Sequence, residues 1–293
     1  MEIPFYEYTP IVERPRLQLP DGKRLAVWIG LNIEHYVYGQ PALSLAEFTA
    51  HLVPDPLNYG WCDYGPRVGV WRLIELLDRC GIRASAIVNA DVFANYPQIV
   101  VAGRERGWAW VGHGQNNSRW HAGMEREEER GLLTEIVSAF ISATGARPRG
   151  WLGPALTSTA HTVDLLAELG FGYTLDWAND DQPYDMKPSS GRLISVPYSS
   201  EVNDIPAFLL HHQTGEQFAQ SVIDQFDVLY EEAARSARVM GIGIHPFLVG
   251  QPFRAKAFAR ALEHIAAHRD VWLATSDEIA AWYLNAPRSD RLS

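Results

Sequence analysis

Apolar residues along the chain fall into two alternating rhythms. Short unbroken runs read as strands covered on both faces: LAVWIGLN at 25–32, SAIVN at 85–89, WAWVG at 108–112 and VMGIGIH at 239–245. Between them lie stretches with apolar residues at helical spacing. Within 69–81 these are Val70, Leu73, Ile74 and Leu77, and Gly81 supplies a C-terminal stop. The same pattern predicts helices over 96–106, 125–144, 158–169, 216–235, 253–267 and 277–283. Further strands are predicted over 149–153, 173–177, 192–197 and 271–275. Residues 39–66 carry Gly and Pro at short intervals and read as a long loop. The Pro-rich residues 1–22 read as an irregular arm.

Sustained strand–helix alternation calls for parallel strands joined by crossover helices. The economical arrangement is an α/β fold: a distorted (β/α) barrel of seven or eight strands, one domain over residues 1–293. A doubly wound open sheet is the alternative. No G-x-G-x-x-G turn follows the first strand, which argues against a dinucleotide site.

Charge narrows the partners. The formal net charge of −10 argues against nucleic acid and against an anionic membrane surface. The N-terminus lacks a basic segment followed by an apolar one, and no apolar run is long enough to span a bilayer. A cytoplasmic protein acting on a small molecule is the resulting expectation. Two cysteines make no disulfide framework or zinc motif; Cys80, ending an apolar helix pattern, reads as a buried free thiol.

In a parallel barrel the chemistry lies at the C-terminal ends of the strands. Polar residues expected there are Glu34, His113, Arg149, Asp176, Asp180, Asp181 and His245. Each alone has an ordinary structural reading, but two histidines, a glutamate and an arginine at one rim form a candidate site. Trp110, Trp120, Trp151, Trp177 and Tyr184 lie on or near the same segments, where they either enclose a substrate or fill the barrel. His211-His212 reads equally as pocket lining or surface, and EREEER at 125–130 as a solvated helix face.

The stretches LNIEHY, HGQNN, RGWLGP, LDWANDD and IHP, in that order, resemble the motifs of the polysaccharide deacetylase (NodB-homology) family. DYGPRVGVWRLIELL and the tail HPFLVGQPFR…VWLATSDEIAAWYL are similar to the branch containing bacterial metal-independent allantoinases. The resemblance implies a distorted barrel and hydrolysis of a non-peptide C–N bond. In metal-dependent members an aspartate and two histidines bind the ion and a second aspartate is the base. Here the base position falls on Ile33, the metal aspartate on Glu34, the first histidine on His113 and the second on Asn117. The late histidine, a general acid, falls on His245; the orienting arginine on Arg149; the Asp-Trp element on Asp176-Trp177.

The catalytic candidates are therefore Glu34, His113, His245, Arg149 and Asp176. The substrate-binding candidates are Trp151, Trp177, Asn117, Arg67 and Tyr184. No cofactor is expected, with a weakly held zinc on Glu34, His113 and Asn117 as the option left open. Without metal, Glu34 is the natural base. The substrate class implied is a small cyclic amide, ureide or N-acylated compound. Ile33 and Asn117 keep open a catalytically silent carbohydrate- or metabolite-binding member, and a metal-dependent N-acetyl-sugar deacetylase is a third reading. The arm also leaves room for a homo-oligomer.

Overall fold

Leu25–Ile33 forms the central strand, β1, of a computed structural model that describes residues 3–40 and 43–286. β2 (Ser85–Val88), β3 (Ala109–Gly112), β4 (Gly150–Trp151) and β5 (Tyr173–Thr174) follow as parallel neighbours, each beside the one before. β6 (Tyr184–Asp185) and β7 (Ile194–Ser195) come next, then β8 (Arg238–Ile244) and β9 (Val271–Leu273). The spatial order is β6-β7-β5-β4-β3-β2-β1-β8, and β9 pairs with Leu25–Val27 of β1. The sheet curls until the segment after β7 meets β8, where Asn203 bridges Gly243 and Trp28 Nε1 donates to Pro197 O at 3.0 Å. β6 runs antiparallel to β7, a departure from the all-parallel expectation.

Helices clothe the outside: α1 (Pro56–Tyr64), α2 (Val70–Arg79), α3 (Asp91–Asn95), α4 (Pro97–Glu105) and α5 (Arg126–Thr144). α6 (Thr162–Glu168), α7 (Gly215–Glu232), α8 (Pro252–Ala266) and α9 (Ser276–Asn285) complete the set among the described residues. α1 corrects the loop expected over 39–66. Asp55 caps it by accepting from Asn58 N at 3.3 Å, and Pro56 fills the first turn, where its missing N–H costs nothing. The next residues, 65–69, form a wider π turn that leads into α2.

Strand alternation divides the core into two layers. Leu25, Val27, Ile29, Leu31 and Ile33 face the helices, among them Leu73, Leu77, Phe140 and Phe258. Ala26 and Trp28 face the barrel interior with Ile87, Val111, Leu152, Tyr173 and Val239. Leu17 and Leu19 of the N-terminal segment and Ile279 and Tyr283 of α9 join the interior layer. Each such fully buried side chain contributes about 1.5–3 kcal/mol. No helix among the described residues is long and apolar enough to cross a membrane.

The parity of β1 has a direct consequence. Inward positions run Ala26, Trp28, Gly30, Asn32 and so reach Glu34, while Ile33 lies in the helix-facing layer. Parity also decides Trp151. Gly150 and Leu152 face inward, and a Cβ on Gly150 would meet the Tyr173 ring at 2.1 Å, so Trp151 points out beneath the helices and is fully buried.

Candidate active site

β1, β3 and β8 deliver Glu34, His113 and His245 to one end of the barrel, and all three are buried. His113 Nε2 lies 3.3 Å and His245 Nε2 3.5 Å from the same oxygen, Glu34 Oε1. The other oxygen accepts from Tyr36 OH at 2.6 Å. Each ring is held through its second nitrogen. His113 Nδ1 donates to Leu152 O at 2.7 Å; a carbonyl carries no proton, so that nitrogen is the donor and Nε2 is the atom left to gain or lose one. His245 Nδ1 bonds Asp204 Oδ1 at 2.6 Å, and Asp204 Oδ2 accepts from His245 N at 2.7 Å.

Burial works against charge on His245, but Asp204 and Glu34 outweigh it and raise the imidazole to about 10. Burial likewise raises Glu34, yet the charge of His245 and its hydrogen bond hold the carboxyl well below the usual carboxylate range. Burial and the neighbouring Glu34 push the Tyr36 phenol well above its ordinary value, so it remains a donor.

The loops around these groups are tightly specified. Asn89, just past β2, receives His35 N at 2.8 Å, donates to Asn117 Oδ1 at 2.9 Å and also bonds the carbonyl of His113. Gly114 has φ +68°, and a Cβ there would meet Pro154 at 2.4 Å, so the turn after His113 requires glycine. Gly69 and Gly250 let the segment before α2 cross the β8–α8 loop, since a Cβ on Gly69 would lie 1.9 Å from Pro246 O. Beside Glu34 a crevice of about 10 Å³ is lined by Tyr36, Tyr59, Cys62, Asp63, Pro66 and Tyr96.

The sequence matches the model of the family described as polysaccharide deacetylase over residues 59–174. A Schizosaccharomyces pombe protein described as a polysaccharide deacetylase is 31% identical over 249 residues, which cover 77% of this chain and 76% of that protein. The chain belongs to the polysaccharide deacetylase family. Two solved structures share its fold at a TM-score of 0.83. One, a polysaccharide deacetylase of Pseudomonas aeruginosa PAO1, is 30% identical, with 94% of this chain and 96% of that one covered. The other, the PuuE allantoinase, is 27% identical, with 93% and 95% covered. The protein is thus a deacetylase-type hydrolase of non-peptide C–N bonds.

Family members typically use a metal ion, and the residues here do not suit one. Asn117 offers a neutral amide whose oxygen already accepts from Asn89, and its Nδ2 lies 3.5 Å from Tyr36 OH. His245, held as imidazolium between two carboxylates, has no free lone pair. Glu34 and His113 remain as two ligands, and no group of three His, Cys, Asp or Glu side chains among the described residues is placed to hold an ion.

Several expected residues lie elsewhere. Arg149 is exposed just before β4, at the N-terminal end of a parallel strand and so at the opposite end from the site. Trp151 faces the helix layer, as above. Trp177 packs against Phe5 and Tyr6 at 5.6 and 5.2 Å, and Tyr184 against Tyr6 at 5.3 Å; both serve to dock the N-terminal segment. Asp180 forms an ion pair with Arg14 at 2.6 Å in the same region. Arg67 is 73% exposed and reaches only Asp63, at 3.6 Å. His211 and His212 are exposed, and Cys62 rather than Cys80 is the buried thiol. Asp176 accepts from Gly153 N at 2.6 Å and Thr174 Oγ1 at 3.0 Å, not from His245. Burial pushes it up to about 6 against those bonds.

Asp204, Asn89 and Tyr36 are the residues that the pattern of strand ends missed. Asp204 belongs to no strand; it precedes a π turn at 206–210, and only its place in the fold brings it to His245.

Proposed function

We propose that the protein hydrolyses a small amide or ureide by acid–base catalysis, with His245 as the acid and His113 as the base. One observation carries this reading: two imidazole Nε2 atoms meet at one carboxylate oxygen while both Nδ1 atoms are anchored. Glu34, expected from sequence to be the base, is held too acidic to take a proton efficiently, because a base works best near the operating pH. It serves instead as the fixed anion on which both Nε2 atoms converge. A water beside Glu34 gives its proton to His113 Nε2 as its oxygen attacks the carbonyl carbon. His245 then passes its Nε2 proton to the departing nitrogen, and Asp204 steadies that ring throughout.

A crevice of about 10 Å³ has the room of one water. Its roof, α1 and residues 65–69, favours a compact substrate over a long polymer. The likeness to the PuuE allantoinase supports a ureide or cyclic amide. The packed cluster of Glu34, His113 and His245 weighs against a silent binding member. The test is a hydrolysis screen over ureides, cyclic amides, small N-acetyl amines and N-acetyl-chito-oligosaccharides. Turnover of the small compounds is expected; turnover of the oligosaccharides alone would overturn the small-molecule reading.

A further inference from the structure

Below the acid–base cluster the barrel interior is polar again. Asn32 points inward two positions before Glu34 on β1. Asn203 immediately precedes Asp204, and Gly243 lies two positions before His245 on the same side of β8. The phenol oxygen of Tyr198 meets all three. It accepts from Asn32 Nδ2 at 3.3 Å and from Asn203 Nδ2 at 3.0 Å. A Cβ on Gly243 would lie 2.5 Å from the same oxygen, so glycine is what leaves room for it. Both amides are oriented by further bonds: Asn32 Nδ2 also donates to Ile244 O at 3.3 Å, and Asn203 Oδ1 accepts from Ile205 N at 3.0 Å. The chain before Tyr198 is pinned as well, since Pro197 O accepts from Trp28 Nε1. Tyr198, Asn32 and Asn203 are all buried. The hydrogen bonds of this phenol thus go to the chain neighbours of the reacting cluster rather than to the cluster itself.

Resting on the hydrolase reading, we infer that Tyr198 is a positioning residue: its one buried hydroxyl sets the placement of Glu34, Asp204 and His245 relative to one another. It reaches Glu34 through Asn32, Asp204 through Asn203, and His245 through the close approach to Gly243. Proton transfer needs groups within hydrogen-bond reach, and a displacement of about 1 Å can cost on the order of 10²-fold in rate. His113 comes from β3 and is anchored by Leu152 O, outside this network. The phenol therefore acts on the acid half of the cluster and leaves the base half alone.

Tyr198→Phe keeps the ring and removes the oxygen. On the best substrate of the hydrolysis screen it should lower kcat about tenfold with KM unchanged, since the hydroxyl positions the acid and does not touch the substrate. Proton NMR gives a readout free of turnover. The His245 Nδ1–H, bonded to Asp204, has its own downfield resonance, identified by its loss in His245→Ala. Tyr198→Phe should move that resonance and leave the His113 Nδ1–H in place, whereas a general loosening moves both. Tyr173→Phe is the control: its phenol is as buried, but its partners are Ser276 Oγ at 2.6 Å and Asp277 Oδ1 at 2.8 Å. It should leave kcat and both resonances unchanged. Asn203→Ser serves if Tyr198→Phe does not fold. The serine hydroxyl still accepts from Ile205 N, while the donor to Tyr198 is withdrawn, so a smaller shift of the His245 resonance is expected. A His245 resonance unmoved in the folded variant overturns the positioning role whatever the rates. Movement of both histidine resonances, or an equal loss of kcat in Tyr173→Phe, overturns it too. Movement of the His245 resonance alone, with no screened compound hydrolysed by the wild type, overturns the hydrolase reading and leaves the positioning of His245 standing.

Discussion

Among the described residues two glutamates are buried against histidine, and they do different things. Glu34 offers one oxygen to the Nε2 atoms of His113 and His245 and lines a crevice. Glu129 lies on α5, fully buried, and accepts from Thr159 Oγ1 and Thr162 Oγ1 at 2.6 Å each, with His121 Nδ1 at 3.4 Å. Hydrogen bonds from His121 and the two threonines overcome burial and hold Glu129 below its ordinary value too. A buried, acid-shifted carboxylate beside histidine is therefore not a mark of catalysis by itself. What separates the pair is the partners. Glu129 is capped by neutral hydroxyls and ties α5, α6 and the loop after His113 together. Glu34 gathers two nitrogens able to move protons, and it alone of the two carboxylates borders a crevice.

The largest expected effect falls on the Glu34 side. His245→Ala should lower kcat by about 10²-fold or more while the fold survives, as for a lost general acid. Asp204→Asn sharpens this through pH. The folded pKa of His245, about 10, lies above the ordinary 6.5. Its contribution to stability is therefore fully present below about 6.5 and is lost as pH rises through about 10. Activity that needs the protonated ring should fall over the same alkaline limb, and Asp204→Asn should move that limb to lower pH. A pH–rate profile in which Asp204→Asn leaves the alkaline limb in place would remove His245 from the acid role.

On the Glu129 side the damage should be to stability instead. Glu129→Ala leaves two threonine hydroxyls and a fully buried imidazole without their acceptor and should cost about 3 kcal/mol. Denaturant unfolding measures this directly, and kcat per folded molecule should stay within a few-fold of wild type. Loss of turnover in a variant of normal stability would mean that the two clusters are not separable in the way the geometry indicates.

The same pair shows what the sequence made legible. His113 and His245 follow long apolar runs, and a strand end in a parallel barrel is a place as well as an element, so their convergence was readable. Glu34 followed from the same rule. Glu129 was read as part of a solvated charged run, because nothing in EREEER distinguishes the one acid that turns inward; its partners Thr159 and Thr162 are thirty or more residues away. Arg149 and Trp151 failed because a two-residue strand leaves its ends and its inward face undefined by pattern. The Tyr173 ring, lying against Gly150, settles the inward face. Asp204 sits in an irregular segment and carries no periodic signal. The fold class was legible because alternation repeats along the chain, whereas a single contact between distant segments leaves no such repeat.

The smallest expected effect is on the response to metal removal, and it bears on the Glu34 cluster alone. The loop GHGQNN keeps the four-residue spacing between His113 and Asn117, and Asn117 N bonds His35 O at 2.9 Å, which holds it beside the cluster. A zinc ion would find the carboxylate of Glu34, the imidazole of His113 and a neutral amide already engaged by Asn89. Amides are poor donors to zinc beside imidazole and carboxylate, so affinity should be low. Exhaustive chelation should therefore change the wild-type rate by less than about twofold, far below the loss from His245→Ala. Asn117→His supplies the missing nitrogen and should raise zinc affinity markedly, seen by titration with the metal and elemental analysis of the purified variant. Near-stoichiometric zinc in the wild type, with activity lost on its removal and restored on its return, would show that two strong ligands and an amide suffice here, and that the acid–base assignment to His113 and His245 is wrong.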